Sequence, residues 1–368
     1  MTAIDLEVAP RLGKLGSEPY KPGHPMRFLF VDDSFAFDGY SPSSQPLGGP
    51  EKGFALLPSP LAQRGHEVTV FNRTTYGLQV DGAKWEPFDT ERPAETDVLV
   101  ALRQPGLLDF VATASRRILI CTGDPAALDT ADNHALLEKH RPLVLFYSAP
   151  HRVRWSNKLQ LETRIFAPGL ASNYLDDEAM RVYDPPRAVT VAHPQAGLGW
   201  LLTLWIDQIR PAVPKAELHV YSALLNRGIL GSDVPPGVKP LVDLVQAARD
   251  RGILVLRPQG DSGMAEAYRA ARAFLYPGMP DEVFGFTLAE SQALGLPAVL
   301  RPVAPVLSER VVDGATAKVT TTEAQFAAAA IELLKDRPEF DRMSAKCREA
   351  RNGRTWPIAA AEFEELAR

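Results

Sequence analysis

Short apolar runs alternate with longer mixed segments along most of this chain. Arg27-Phe28-Leu29-Phe30-Val31 stops at Asp32-Asp33, and comparable runs follow at 66–71, 97–102, 117–121 and 143–147. Such brief runs, rich in β-branched and aromatic residues and without polar alternation, predict strands buried on both faces. A Gly/Ser/Pro loop at 34–50 separates the first two. A helical segment follows at 51–64, closed by Gly65 where a left-handed C-cap is wanted. Buried strands interleaved with helices predict an α/β fold with helices on both faces of a parallel sheet.

The pattern breaks at 181–187, where Pro185-Pro186 prevents continued helix and marks a linker. It then restarts, with strands expected at 188–192, 217–221, 253–256, 273–276 and 298–300. Leu198, Leu201, Leu202, Trp205, Ile206 and Ile209 recur at three- and four-residue steps, the core-facing stripe of a helix. Trp200 and Trp205 read as packing residues on that spacing. Helices are expected near 323–334 and 339–351. Two such series predict two Rossmann-like domains, at 26–182 and 183–352, with parallel sheets facing across a cleft. Ligands of open α/β sheets bind at the carboxyl ends of the strands.

Composition narrows the function. A chain of 368 residues suits two cores of about 150–180 residues each. A net charge of -5 lacks the basic excess of a nucleic-acid binder. Cys121 and Cys347 are too few and too distant for a disulfide framework or a cysteine zinc site, which fits a reducing, cytoplasmic setting. Residues 1–25 read as a flexible arm without the apolar core of a signal peptide. No stretch approaches the ~18 apolar residues of a membrane span. Peripheral association with the inner face of a membrane stays open, although no basic amphipathic helix stands out.

The chemistry concentrates in Tyr276-Pro-Gly-Met-Pro-Asp-Glu282-Val-Phe-Gly285-Phe286-Thr287-Leu288-Ala-Glu290, followed by Gly295-Leu-Pro297. This reads as strand end, loop, helix and next strand. Glu282 and Glu290 bracket an apolar turn, and Gly285 lets backbone approach a ligand closely. The helix opening near Thr287 presents unpaired N–H groups at its positive end, which suits a diphosphate.

This stretch resembles the E-x7-E signature of the retaining GT-B glycosyltransferases, the "glycosyl transferases group 1" family. The resemblance implies that Glu282 contacts the donor sugar, that backbone at Gly285, Phe286, Thr287 and Leu288 holds sugar and phosphate, and that Glu290 binds the ribose. Gly48-Gly49-Pro50-Glu51-Lys52 and Arg64-Gly65-His66-Glu67-Val68 resemble the family's Gly-Gly-x-Glu loop and strand entry. Gly48 and Gly49 would admit phosphate or acceptor. Lys52 reads equally as a diphosphate partner or a solvated helix residue. Ser308-Glu309-Arg310-Val311-Val312-Asp313-Gly314 resembles a segment that follows the signature, with Glu309 a donor contact or a surface acid. The tail at 353–368 looks like the family's helix that crosses back to the N-terminal domain.

Two departures stand out. Relatives often carry Arg or Lys after the first strand of the second domain; here His193-Pro194-Gln195-Ala196-Gly197 stands there, leaving Arg257, Arg301 and Arg310 as basic candidates. Relatives often place His at a strand end facing the donor sugar; here Cys121-Thr122-Gly123-Asp124-Pro125 stands there. Asp124 either replaces that His in catalysis or caps a helix begun by Pro125. His151 and Arg103 are further cleft candidates, Arg103 for an anionic group and His151 either for ligand or for structure.

The expected activity is metal-independent transfer of a hexose from a nucleotide-sugar to an acceptor hydroxyl with retention of configuration, without a cofactor. The expected acceptor is a small molecule, a lipid-linked sugar or a glycan. The alternatives are a non-catalytic nucleotide-sugar-binding protein and an epimerase on the same fold.

Overall fold

The structure is a computed structural model describing residues 24–181, 183–351 and 353–368; apart from His24 and Pro25, the arm expected over 1–25 lies outside them. The first lobe is built on eight strands: β1 Arg27–Val31, β2 Glu67–Asn72, β3 Leu78–Val80, β4 Ala83–Pro87, β5 Glu95–Leu102, β6 Thr113–Cys121, β7 Leu143–Phe146 and β8 Thr163–Ile165. Their order is β3-β4-β2-β1-β5-β6-β7-β8, parallel except for the β3–β4 pair. The second lobe carries β9 Arg187–Thr190, β10 Glu217–Tyr221, β11 Ile253–Leu256, β12 Ala273–Tyr276, β13 Ala298–Leu300 and β14 Ala317–Val319. Its order is β11-β10-β9-β12-β13-β14, all parallel.

Each sheet reverses its winding once. In the first, the chain leaves β1 for β2 on one side and returns at β5 on the other. In the second, the reversal falls between β9 and β12. Adjacent crossovers diverge at these points and leave a crevice beyond the strand ends, where ligands of such sheets bind.

Several local expectations need correction. The helix expected at 51–64 is two, Gly49–Leu56 and Pro58–Gln63. Pro58 and Pro60 lack the N–H groups that would carry one helix through. The loop at 34–50 contains a helical turn at Ser41–Ser44. The stripe at 198–209 belongs to a segment with wide turns at Pro194–Leu198 and Trp205–Ile209. Pro211 removes one donor just after the second of these. Strands β3, β4, β8 and β14 were not anticipated; three of the four have only three residues.

The C-terminal helix Trp356–Ala367 lies against the first lobe. Phe363 packs among Phe28, Phe30 and Phe166, with ring centroids 6.3, 6.0 and 5.3 Å away. Glu364 on the same helix accepts from Arg64 at 2.7 Å. Val283, Phe284 and Phe286 also enter the first lobe's core, although they belong to the second lobe's chain. Burial of these rings joins the lobes by the same apolar driving force that builds each core.

Candidate donor site

The stretch singled out in the sequence sits at the reversal point of the second sheet. Strand β12 ends at Tyr276, a loop follows, and a helix runs over Phe286–Leu294. Gly285 precedes the helix with φ 75°, a left-handed conformation that glycine adopts without cost. Gly295 closes it at φ 99°. The sequence therefore sets both ends of the helix.

Glu282 organises the turn before it. Its Oε1 accepts from the backbone N–H of Val283, Phe284 and Gly285 at 3.1, 3.2 and 2.8 Å, and Tyr276 Oη donates to Oε2 at 2.9 Å. Three successive N–H groups converging on one oxygen form an anion-binding concavity. Beside it lies a cavity of about 170 Å³ lined by residues that include His193, Ala196, Tyr276, Gly278, Glu282 and Thr287. These residues come from both strand ends that flank the reversal point.

Arg310 lies against this turn. Its guanidinium lies over the Phe284 ring at 4.3 Å, and its Nε is buried without a partner. Burial lowers its pKa from the usual arginine value, opposed by the Glu309 and Glu282 carboxylates. Glu309 Oε2 stands 3.7 Å from it, and burial raises the Glu309 carboxyl. Arg310, Glu309, Phe284 and Arg351 line a second cavity of about 140 Å³. Arg257 is exposed beyond β11, with β10 and β9 between it and β12.

Glu290 is 2% exposed, and its Oε1 accepts from Lys52 Nζ at 2.6 Å. The same Nζ stands 2.6 Å from Asp261 Oδ1, which also accepts from Tyr174 Oη at 2.9 Å. Lys52 is thus neither a solvated helix residue nor directed at open space; it bridges two acids of the other lobe. Two carboxylates share one cation here. Burial pushes the Glu290 carboxyl up to about 7, and Asp261 adds to the shift against the attraction of Lys52. The paired carboxylates hold the Lys52 ammonium above its usual value despite its burial. Asp261 and Tyr174 were missed in the sequence, where nothing local ties them to Lys52.

The glycine loop meets this turn directly. A Cβ on Gly49 would collide with the Phe286 ring, and one on Gly48 with the Glu51 carboxylate. Phe284 and Phe286 pack on Tyr147 of the first lobe, with centroids 6.2 and 6.0 Å away.

Other candidates from the first lobe are placed less simply. Arg103, expected to serve an anionic group, is paired with Glu51. Asp124 caps the turn at Pro125–Asp129, accepting from Ala126 N at 3.2 Å, and its mostly exposed carboxylate stands 3.4 Å from Arg154. Capping is the role the structure records for it. His151 is buried; its Nε2 donates to Gly123 O at 2.8 Å, and Nδ1 has no partner. Burial lowers its pKa and favours the neutral ring.

Comparisons with known proteins bear on the family and the fold. Residues 187–336 match the family described as Glycosyl transferases group 1. The D-inositol 3-phosphate glycosyltransferase of Actinosynnema mirum is 31% identical over 131 residues, 32% of this chain and 31% of that protein's length. The aligned part thus spans about a third of that relative. Among solved structures, the sucrose-phosphate synthase of Thermosynechococcus elongatus superposes with TM-score 0.71 at 14% identity, covering 93% of this chain and 98% of that one. HepE of Anabaena, solved with UDP-glucose, gives 0.69 at 14% identity, covering 93% and 99%. WaaG, a glycosyltransferase involved in lipopolysaccharide biosynthesis, gives 0.67 at 13% identity, covering 92% and 99%. Residues 187–336 thus match the glycosyl transferases group 1 family, within a chain whose fold as a whole is that of the GT-B glycosyltransferase structures.

Proposed function

We propose that the chain is a glycosyltransferase that takes a sugar from a nucleotide-sugar and passes it, with retention of configuration and without a metal, to an acceptor hydroxyl. One observation carries this reading: the Glu282 turn and the opening of the Phe286–Leu294 helix meet a cavity at the reversal point of the second sheet. The diphosphate would lie at the helix N-terminus, whose first N–H groups lack intrahelical partners. Arg310 supplies the positive charge that relatives draw from elsewhere. In the transfer, the bond from anomeric carbon to diphosphate oxygen breaks and a bond to the acceptor oxygen forms. The hydroxyl proton leaves with the diphosphate. Donors already ordered at the helix end would stabilise the leaving group without reorganising.

The acceptor side is the first lobe, and water is excluded where Phe284 and Phe286 close against Tyr147. No described helix is long and apolar enough to cross a membrane. A cytoplasmic setting and an acceptor drawn from small molecules, lipid-linked sugars or glycans remain part of the proposal.

A panel of UDP-, GDP- and ADP-sugars in calorimetry, followed by product analysis by NMR with and without EDTA, tests each part. A donor that binds and is transferred with its anomeric configuration kept, in the presence of chelator, supports the whole reading. Inverted product removes retention, and lost turnover restored by magnesium removes metal independence. One observation favours a second reading, a binding protein without turnover: Lys52 occupies the Glu290 carboxylate that the family resemblance assigns to ribose. Binding without transfer across the panel would select it.

A further inference from the structure

A cavity of about 410 Å³ lies away from the donor turn and shares no wall residue with the cavity beside Glu282. One wall is the flank of the two short helices after the glycine loop, from Ala55 and Leu56 to Pro60 and Gln63. Gln63 stands just before β2, so the cavity reaches toward the amino end of the first sheet. A further wall comes from the two stretches that join the lobes. Leu170 and Ala171 lie where the chain leaves the first lobe, and Trp356 and Pro357 where it returns. These stretches run bonded side by side. Leu170 N–H donates to Arg354 O at 2.9 Å, and a Cβ on Gly169 would stand 2.7 Å from the Trp356 backbone nitrogen. Asp261 of the second lobe completes the lining; it is the acid that shares Lys52 with Glu290.

The lining sets the class of occupant. A cavity of this size admits a ring system with a short side chain. Apolar surface dominates it, Trp356 included, so the body of the occupant is apolar. No Lys, Arg or His is part of the lining, while two carboxylates are. Asp261 is committed to Lys52 and Tyr174. Asp81 is exposed in the turn between β3 and β4 and makes no ion pair among the described residues. An anion placed here would meet only carboxylates. A cation would meet Asp81 and a tryptophan ring, both of which attract it.

We propose that this cavity is an effector site for a small organic cation with an apolar ring, and that its occupation opposes donor binding. The second half rests on the glycosyltransferase reading; the ligand class does not. A ligand held by both lobes and by both connecting stretches favours the arrangement that forms its site. In that arrangement Lys52 donates to Glu290 Oε1, so the carboxylate assigned to the donor's ribose is already engaged. Donor and effector therefore favour different lobe arrangements, and each weakens the other by the same factor.

Tryptamine, 3-ethylindole and indole-3-acetate differ mainly in charge, and each is titrated into the full chain by calorimetry. Tryptamine should bind about threefold more tightly than 3-ethylindole, within the reach of an ion pair at an exposed carboxylate, and indole-3-acetate should bind most weakly. Asp81→Asn should remove the preference for tryptamine. Asparagine tolerates the left-handed backbone that Asp81 adopts at φ 45°, so the fold is kept. Gln63→Trp, at an exposed position of the wall, should weaken all three by about tenfold through filling, with the melting temperature unchanged. Saturating tryptamine should raise the Kd of the nucleotide-sugar by about fivefold or more, and saturating donor should raise that of tryptamine equally. Undetectable tryptamine binding, equal binding of cation and anion, a preference that survives Asp81→Asn, or binding untouched by Gln63→Trp overturns the site. A dimer that tryptamine dissociates in sedimentation would assign the cavity to a second copy and overturns it too. Donor affinity unmoved or improved by tryptamine overturns the opposition. If no nucleotide-sugar binds, the glycosyltransferase reading falls, whereas charge selectivity lost in Asp81→Asn still supports the site.

Discussion

Lys52 Nζ stands 2.6 Å from Glu290 Oε1 although 238 residues separate the two in the chain. The contact crosses from the helix behind the first lobe's glycine loop to the second lobe's signature helix, and Asp261 makes it a triad. A buried cation between two acids ties the lobes at the point where a donor's nucleoside is expected, so substitutions here should report on both stability and ligand.

Lys52→Met should be strongly destabilising. It leaves Glu290 and Asp261 buried without their cation, and breaking such a pair from one side costs about 3–5 kcal/mol. Urea unfolding monitored by tryptophan fluorescence checks this. A loss within about 0.5 kcal/mol, the range of ordinary surface changes, would show that the triad is not needed for stability.

The pH dependence of stability should carry the signature of Glu290. Its folded carboxyl is raised to about 7, above the ordinary value of 4.5. The sign follows: its stabilising contribution is complete below about pH 4.5 and is lost as pH rises through 7. Glu290→Gln lacks this titration. The melting temperature of Glu290→Gln relative to wild type should therefore climb between pH 5 and 8, and a constant difference across that range would contradict the raised value.

Arg310→Met should weaken nucleoside diphosphate binding by about 1.5–3 kcal/mol, the range for a hydrogen bond to a charged group. Titration calorimetry with the nucleotide that the donor panel identifies measures it. Arg310→Lys should recover only part, because the compact ammonium loses the planar stacking on Phe284. Unchanged affinity in Arg310→Met would return the search for the diphosphate cation to Arg301 and Arg257.

Gly49→Ala should cost about 1–3 kcal/mol, the usual penalty for forcing a methyl into packed surroundings. The added Cβ meets the Phe286 ring rather than open space. Differential scanning calorimetry would show it as a lowered melting temperature. Gly123→Ala, where an added Cβ has nothing near it, serves as the control.

Both thiols should be silent in the native protein. Cys121 and Cys347 are buried, and burial pushes each up to about 12. Little thiolate is present at pH 8, and the thiolate is the reactive form. A chromogenic disulfide reagent should titrate two thiols per chain only after denaturation.

Most of the sheet architecture was visible in the sequence because its strands are buried on both faces. Phe28-Leu29-Phe30-Val31 and Val98-Leu99-Val100-Ala101 have no solvent side to interrupt with polar residues. The short strands β3 and β4 escaped because Gln79 and Lys84 break the apolar run at the sheet's edge. The Glu282 turn was legible because glycine, helix start and strand end fall in order within one short segment. The triad was not: Lys52, Asp261 and Glu290 are brought together by tertiary packing, which no periodicity encodes.

The docking of the C-terminal helix on the first lobe means that, among the described residues, the polypeptide passes between the lobes twice. Two neighbouring tethers, unlike one, resist sliding and twisting apart, and leave a swing about the line through both as the softest motion. Substrate entry would then resemble a book opening along its spine, with the far edge travelling most and the residues nearest the tethers hardly at all.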